Sequence, residues 1–177
     1  MNIQIIRPTP SDVGTICRIE NACFPEKEAA SPEQFKDRLN IFPDGFFMAI
    51  DTDRKSEEAG GSFNGVAVGF IDGACVNSDR ICDEMFENAS LHDPLGKWAA
   101  VYGLCVIEEY RNKGVGGLLI DSFIEKAKRE HREGVILTCK EEKINFYKKF
   151  GFLPLGISKS VHGGAVWYDM MLNFIGK

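Results

Sequence analysis

The stretch EEYRNKGVGGLLID, Glu108 to Asp121, sets three glycines and two basic residues between apolar segments. Gly114, Gly116 and Gly117 let main-chain N–H groups crowd one point, and the helix that follows adds the positive end of its dipole. Arg111 and Lys113 bring side-chain charge to the same place. That combination suits a phosphate. The plain alternative is a tight strand-to-helix turn with solvated basic residues. Spacing excludes two familiar loops. A dinucleotide fingerprint needs G-x-G-x-x-G after the first strand, and counting from Gly114 puts Leu119 where the third glycine belongs. A Walker loop needs Gly-Lys-Ser or Gly-Lys-Thr, and neither tripeptide occurs.

Working outward, AAVYGLCVI before the loop is nearly continuous in apolar character, as a central buried strand should be. After it, a helix is expected from about Gly116 to Arg132, with Leu118, Leu119, Ile120, Phe123, Ile124 and Ala127 facing inward. GVILTC reads as another buried strand, and KEEKINFYKKF as a short helix that Gly151 can end in a left-handed cap. FLPLGISKSVHGGAVWYDMMLNF reads as two strands around the turn His162-Gly163-Gly164.

Upstream, NIQIIRP is a strand stopped by proline. A helix from Val13 to Ala22, capped by Ser11 or Asp12, would turn Val13, Ile16, Ile19 and Cys23 to one face. A second helix starts at Ser31, with Pro32 in its first turn and Gln34 completing a capping box. GFFMAID and VAVGFIDGACV are strands, and the polar loop TDRKSEEAGGSFNG suits a hairpin connection between them. Residues 77–98 mix one short helix with turns, a pattern that often carries binding function. The order describes one α/β domain over residues 1–177, with a central sheet and helices on its faces.

Composition narrows the partners. A net charge of −5 argues against general affinity for nucleic acid or anionic membranes, and no apolar run reaches the ~18 residues of a membrane span. Nothing resembles a signal peptide. The six cysteines form no CxxC pair, and neither they nor the three histidines follow metal-ligand spacing. No metal is therefore expected, and the thiols suit a reducing compartment, with the cytoplasm as the default.

The run Tyr110-Arg111-Asn112-Lys113-Gly114-Val115-Gly116 resembles the R/Q-x-x-G-x-G/A pyrophosphate loop of the GNAT superfamily of N-acetyltransferases. CKEEKINFYKKFGF, downstream and in the right order, resembles that family's second recurrent element, a strand and a short helix ending in aromatic-Tyr-x-x-x-Gly-Phe. Four further stretches (CFPEKEAASPEQFKDRL, SLHDPLGK, ILTCKE and SVHGGAVWY) look like the arylalkylamine branch, which contains the serotonin-acetylating enzymes. The resemblance implies the GNAT fold, an α+β arrangement whose mixed, mostly antiparallel sheet has about six to seven strands flanked by about four helices.

It also implies a chemistry: transfer of acetyl from acetyl-CoA to the primary amine of a small molecule, by direct attack in a ternary complex, in a monomer or homodimer. Arylalkylamines are the acceptors the branch suggests. Polyamines, amino-sugars, protein amines and an inert acyl-CoA-binding domain are the alternatives. By the family pattern, main-chain groups of Leu104, Cys105 and Val106 would take the pantetheine arm, and Gly103 fits a bulge or splay that opens a gap for it. Arg111, Asn112, Lys113, Gly114, Val115, Gly116 and Gly117 would take the pyrophosphate. Tyr147 matches the general acid, a role that a phenol with a reference pKa of about 10 can fill at neutral pH. Phe24, Pro25, Glu28 and His92 lie where the branch builds its amine pocket, and Phe35, Phe46, Phe47 and Trp167 are further aromatic candidates. Vertebrate members carry two histidines on the fourth strand, and the matching positions here are Ala100 and Tyr102. The base is therefore open among Glu20, Glu26, Glu28, His92 and Tyr102, or water alone.

Overall fold

Local signals account for where the elements begin and end. In the computed structural model, which describes residues 1–55 and 63–174, Ser31 caps a helix as its spacing requires. The Gln34 N–H donates to Ser31 Oγ at 3.2 Å, and the Ser31 N–H donates to Gln34 Oε1 at 2.7 Å. This helix, α2 (Pro32–Ile41), follows β1 (Ile3–Ile6) and α1 (Val13–Cys23). Helix α1 starts at Val13 after Asp12 as expected, but its capping contact differs. The Asp12 carboxylate reaches back to the Thr9 N–H at 2.7 Å, so the capping contact lies one turn earlier, in a short 3-10 turn.

The remaining elements are β2 (Phe47–Asp51), β3 (Val66–Val76), α3 (Glu84–Glu87), β4 (Trp98–Val106), α4 (Val115–Arg129), β5 (Gly134–Cys139), α5 (Ile144–Lys148), β6 (Leu153–Ile157) and β7 (Tyr168–Asn173). The seven strands run in the order β1-β2-β3-β4-β5-β7-β6. Pairing is antiparallel for β1–β2, β2–β3, β5–β7 and β6–β7, and parallel for β4–β5. This is the mixed, mostly antiparallel sheet that the resemblance implied. The hairpin loop expected between β2 and β3 falls in part on residues 56–62, outside the described residues; the strands it joins do pair. In α4, Leu119, Ile120, Phe123, Ile124 and Ala127 are buried, but Leu118 is 45% exposed and drops out of the expected stripe. Gly151 ends the α5 segment at φ +87°, as its position predicts.

Packing divides the chain into two units, Met1–Asp72 with Gly103–Phe123, and Gly73–Tyr102 with Ile124–Lys177. The first is centred on Ile16, Ile19, Phe35, Phe46, Phe70 and Leu119, all essentially inaccessible. Phe35 meets Phe70 edge-on with ring centroids 5.6 Å apart, so two of the expected aromatic-pocket candidates, Phe35 and Phe46, are core. In the second unit Val76, Ile81, Met85, Phe86, Trp98, Ala100 and Ile136 form one apolar cluster. There the parallel pairing of β4 with β5 joins Trp98–Ala100 to Gly134–Ile136, and β5 goes on to pair with β7 as far as Cys139.

Candidate active site

The glycine loop in the first unit is built around Tyr110. Its ring is buried, its hydroxyl donates to Asp51 Oδ2 at 2.8 Å, and it accepts from the Arg54 guanidinium at 3.3 Å. Anchored there, the chain turns through Asn112 at φ +60° and Gly114 at φ +87°. A Cβ on Gly114 would meet nothing within 4 Å, so the left-handed backbone rather than crowding calls for glycine. Helix α4 begins at Val115, and its first turn closes with the Leu118 N–H on the Gly114 carbonyl at 3.1 Å. The N–H groups of Val115, Gly116 and Gly117 have no acceptor within the helix and lie at its positive end. Arg111, Asn112, Lys113 and Gly114 are exposed beside them. Arg111 is steadied by a 3.0 Å bond from Nε to the Val106 carbonyl. Lys113 Nζ lies 5.6 Å from the Tyr110 ring centre. Exposed basic side chains and free N–H groups at a helix start are the features that suit an anion.

Next to this loop along the chain, the second half of β4 meets buried ionisable groups. Glu20, in the last turns of α1, is 5% exposed. Its Oε1 accepts from the Ala30 N–H at 3.1 Å and its Oε2 from the Cys105 thiol at 3.1 Å. Burial pushes its pKa up from the ordinary carboxyl range to about 7, and the nearby Asp72 charge adds to the rise. The Cys105 and Ala30 bonds and the Arg38 charge oppose it without cancelling it. Asp72 on β3 is fully buried, and Arg38 of α2 binds its Oδ2 at 3.0 Å. The Asp72 Oδ1 has no hydrogen-bond partner among the described residues, and burial raises this carboxyl as well. Gly103 belongs to the same place. A Cβ built on it would stand 2.9 Å from Asp72 Oδ1 and 4.0 Å from Glu20 Oε2. A side chain at this point of the strand would be crowded by the Asp72 carboxylate, with Glu20 at ordinary contact distance.

The α1–α2 turn carries the other expected residues of this unit. Phe24 ends α1, its N–H donating to the Glu20 carbonyl at 2.9 Å, and it is half-buried. Pro25 and Glu26 are exposed, and the Pro25 carbonyl accepts from the Glu28 and Ala29 N–H groups at 2.8 and 3.0 Å. The turn that presents Phe24, Pro25 and Glu28 is therefore the one whose Ala30 N–H holds Glu20. Leu104 and Val106 are half-buried and Cys105 is buried. Sequence reasoning missed Cys23, Arg38 and Asp72. The nearby Cys105 thiol first, then Arg111 and the Val106 main chain, lower the Cys23 thiol to about 6, against burial, which raises it.

In the second unit, Tyr147 lies on α5, 8% exposed. Its ring packs edge-on against Phe146 and Phe152, at centroid distances of 5.0 and 5.7 Å. Tyr102 is half-buried against Phe86 at 5.6 Å. His92 accepts the Cys75 N–H on Nδ1 at 3.1 Å, which fixes the neutral tautomer with the proton on Nε2, and burial lowers its pKa. Trp167 is buried and donates from Nε1 to the His162 carbonyl at 2.9 Å. No cluster of potential metal ligands occurs among the described residues, and none of their helices is long and apolar enough to cross a membrane.

The seven-stranded mixed sheet, with a left-handed glycine turn opening the helix after its fourth strand, is the frame of one family of acyltransferases. The model of the acetyltransferase (GNAT) family matches residues 14–152, and the chain belongs to that family. It is an N-acetyltransferase with acetyl-CoA as co-substrate. It is 26% identical to the serotonin N-acetyltransferase of Mesocricetus auratus over 169 residues, covering 92% of this chain and 73% of that protein. Among solved structures it resembles Arabidopsis thaliana NAA60 in complex with acetyl-CoA, with a TM-score of 0.72, 19% identity, and 99% and 100% of the two chains covered. A chain of the NatC complex bound to Gag peptide and CoA also superposes with a TM-score of 0.72, at 18% identity over 98% and 99%. At these identities the solved structures establish the fold alone.

Proposed function

We propose that the chain acetylates the primary amine of a small molecule, with arylalkylamines as the favoured class and Glu20 as the general base. The observation that carries this reading is the buried Glu20 carboxyl, raised to about 7 and hydrogen-bonded to the strand assigned to the pantetheine arm. A base poised near neutrality is half-ionised at working pH and can take the proton that a bound ammonium must lose. The neutral nitrogen then attacks the thioester carbonyl; a C–N bond forms, the C–S bond breaks, and the coenzyme thiolate leaves. Tyr147 is proposed to protonate that thiolate. Leu104, Cys105 and Val106 would hold the pantetheine arm through their main chain, and Arg111 to Gly117 the pyrophosphate.

Phe24, Pro25 and Glu28 are the proposed amine-side contacts, with His92 and Tyr102 as further candidates in the second unit. The similarity to a serotonin N-acetyltransferase and the aromatic side chain on the α1–α2 turn support an arylalkylamine. Peptide amines are the second reading, because a structural relative carries a peptide. Six free thiols suit a reducing compartment such as the cytoplasm. The test is coenzyme A release from acetyl-CoA with tryptamine, phenethylamine, spermidine, glucosamine and a lysine peptide. Tryptamine and phenethylamine are expected to lead in kcat/KM. A lead for the peptide would replace the substrate class, and no turnover of any amine despite tight acetyl-CoA binding would sink the catalytic reading.

A further inference from the structure

One face of the second unit changes character along its strands. Trp98 and Ala100 on β4 and Ile136 on β5 are buried in the apolar cluster with Phe86. The parallel register pairs Ala100 with Ile136, so Tyr102 and Thr138, two residues further along, share that face. Thr138 pairs in turn with Asp169 on β7, two residues before Met171, which packs against the same cluster. Tyr102, Thr138 and Asp169 are half-buried, so the face opens and turns polar where the cluster ends. The Asp169 Oδ1 is nonetheless inaccessible and has no hydrogen-bond partner among the described residues. Its Oδ2 lies 3.7 Å from Arg80 Nε, beyond hydrogen-bond distance. A carboxylate oxygen left like this is costly, and a donor that arrives from outside would remove the cost. Aromatic rings stand beside it. Phe86 meets Tyr102 at 5.6 Å and His162 at 4.8 Å between ring centres, and Trp167, two residues before Asp169, lies 6.3 Å from His162. The rings are held in place: the Trp167 indole donates to the His162 carbonyl at 2.9 Å, while the Asp83 carboxylate accepts from the Ser160 hydroxyl and, at 3.1 Å, from the Val161 N–H.

We propose that this end of the sheet binds an organic ammonium ion, with Asp169 Oδ1 accepting a hydrogen bond from the cationic head. The half-buried Tyr102 and His162 rings receive the apolar or aromatic body, backed by the buried Phe86 and Trp167. A carboxylate prefers a cation to a neutral donor of the same shape, and ring faces add cation–π attraction while covering hydrocarbon. An anion is repelled here. A metal ion would need several oxygen or nitrogen ligands, and no such group occurs among the described residues. Arg80 competes for the same carboxylate from an exposed position. The part this site plays in turnover rests on the proposed acetylation of amines: Asp169 recognises the protonated amine, a role separate from the proton removal assigned to Glu20. Binding of the cation does not rest on that reading.

The test compares tryptamine with indole-3-ethanol, which keeps the ring and side chain and carries a hydroxyl in place of the ammonium. Affinities are read by calorimetry with coenzyme A in place of acetyl-CoA, so that no acetyl moves. The wild type should bind tryptamine tighter by about ten-fold or more, the discrimination that a hydrogen bond to a charged group supplies. Asp169→Asn keeps the shape and removes the charge, and should bring the two ligands to within about two-fold of each other. A purely structural role would weaken both ligands alike and leave the ratio as it was. Arg80→Met removes the competing cation and should tighten tryptamine about three-fold with the alcohol unchanged. A wild type that does not distinguish the ligands, or an unchanged ratio in an Asp169→Asn protein shown by thermal melting to be folded, overturns the site. Should that variant not fold, Arg80→Met decides, and no tightening overturns the proposal. A cation preference that is lost with Asp169, in a protein that releases no coenzyme A from acetyl-CoA with any amine, would uphold the ammonium site and sink the acetylation reading. Turnover of tryptamine with an unchanged ratio would do the reverse.

Discussion

The two halves of β4 are chemically unlike. Trp98 and Ala100 in the first half are buried among Val76, Ile81, Met85, Phe86 and Ile136, with Tyr102 packed against that cluster. The second half, Gly103 to Val106, faces Asp72 and Glu20 and donates a thiol hydrogen bond to one of them. Ala100 and Tyr102, the positions where the vertebrate branch carries histidines, fall in the apolar half. The ionisable groups come instead from α1, α2 and β3, and they converge on the other half. On the proposed reading, proton chemistry is supplied by the elements beside the strand rather than by the strand's own side chains. Perturbing the polar half should then cost far more than perturbing the apolar half.

The largest expected effect comes from Arg38→Met. It leaves the Asp72 carboxylate buried without its partner, and breaking such a pair typically costs about 3–5 kcal/mol. Urea unfolding measures it, and Arg38→Met with Asp72→Asn should recover most of the loss. A cost near zero for the single change would mean that Asp72 is neutral and the polar half is polar in name only.

Glu20→Gln comes next and acts with opposite signs on activity and stability. With its base gone, kcat/KM should fall about 100-fold, and the rise of the wild-type profile through about pH 7 should disappear. Stability moves the other way. The folded-state pKa is raised from 4.5 to about 7, so folding carries no Glu20 penalty below about 4.5 and the full penalty above about 7. At roughly 1.4 kcal/mol per tenfold in ionisation, the variant should gain up to about 3 kcal/mol at pH 8 and progressively less towards pH 5. The groups facing Glu20 are Asp72, Arg38, Cys105, Cys17 and the Ala30 N–H, and the substitution also removes the charge that raises the Cys105 and Cys17 thiols. A variant no more stable at pH 8 than at pH 5 would place the raised carboxyl elsewhere. Tyr147→Phe is expected to lower kcat by roughly ten-fold or more, the low end for loss of a general acid. An unchanged kcat in steady-state assays would remove Tyr147 from the mechanism.

What could be read in advance follows from which features are local. Ser31, Pro32 and Gln34 cap α2 within four consecutive residues, and Gly114 turns the chain where its own φ demands it. Such signals are complete in a short window, and the strands and the loop were legible for that reason. Glu20 was only one of five candidate bases, because nothing near it in sequence makes it special. Its pKa depends on burial and on Cys105, 85 residues away, on Asp72 and on Arg38. Cys23 was read as a helix-face residue for the same reason, since the groups that lower its pKa, Cys105, Arg111 and Val106, lie on β4 and in the glycine loop. Gly103 was legible as a special position, but its tight approach to Asp72 Oδ1 was not, because that oxygen belongs to a residue on another strand.

The smallest expected effect is the one that most sharply divides the strand. Tyr102→Phe keeps the ring that packs edge-on against Phe86 and removes only the hydroxyl. Tyr102 occupies one of the two matched histidine positions, so it is the residue through which the vertebrate arrangement would survive here in altered form. If Glu20 is the base, this change leaves the ascending limb near pH 7 in place, and kcat/KM falls by far less than the ~10²-fold that loss of a general base costs. If the limb instead moves or vanishes while Glu20 is intact, the proton leaves through the apolar half after all, and the raised Glu20 carboxyl is a structural group that happens to border the strand. Measuring both pH profiles with the same amine decides between the two halves, because no single group can remove the limb from one variant and keep it in the other.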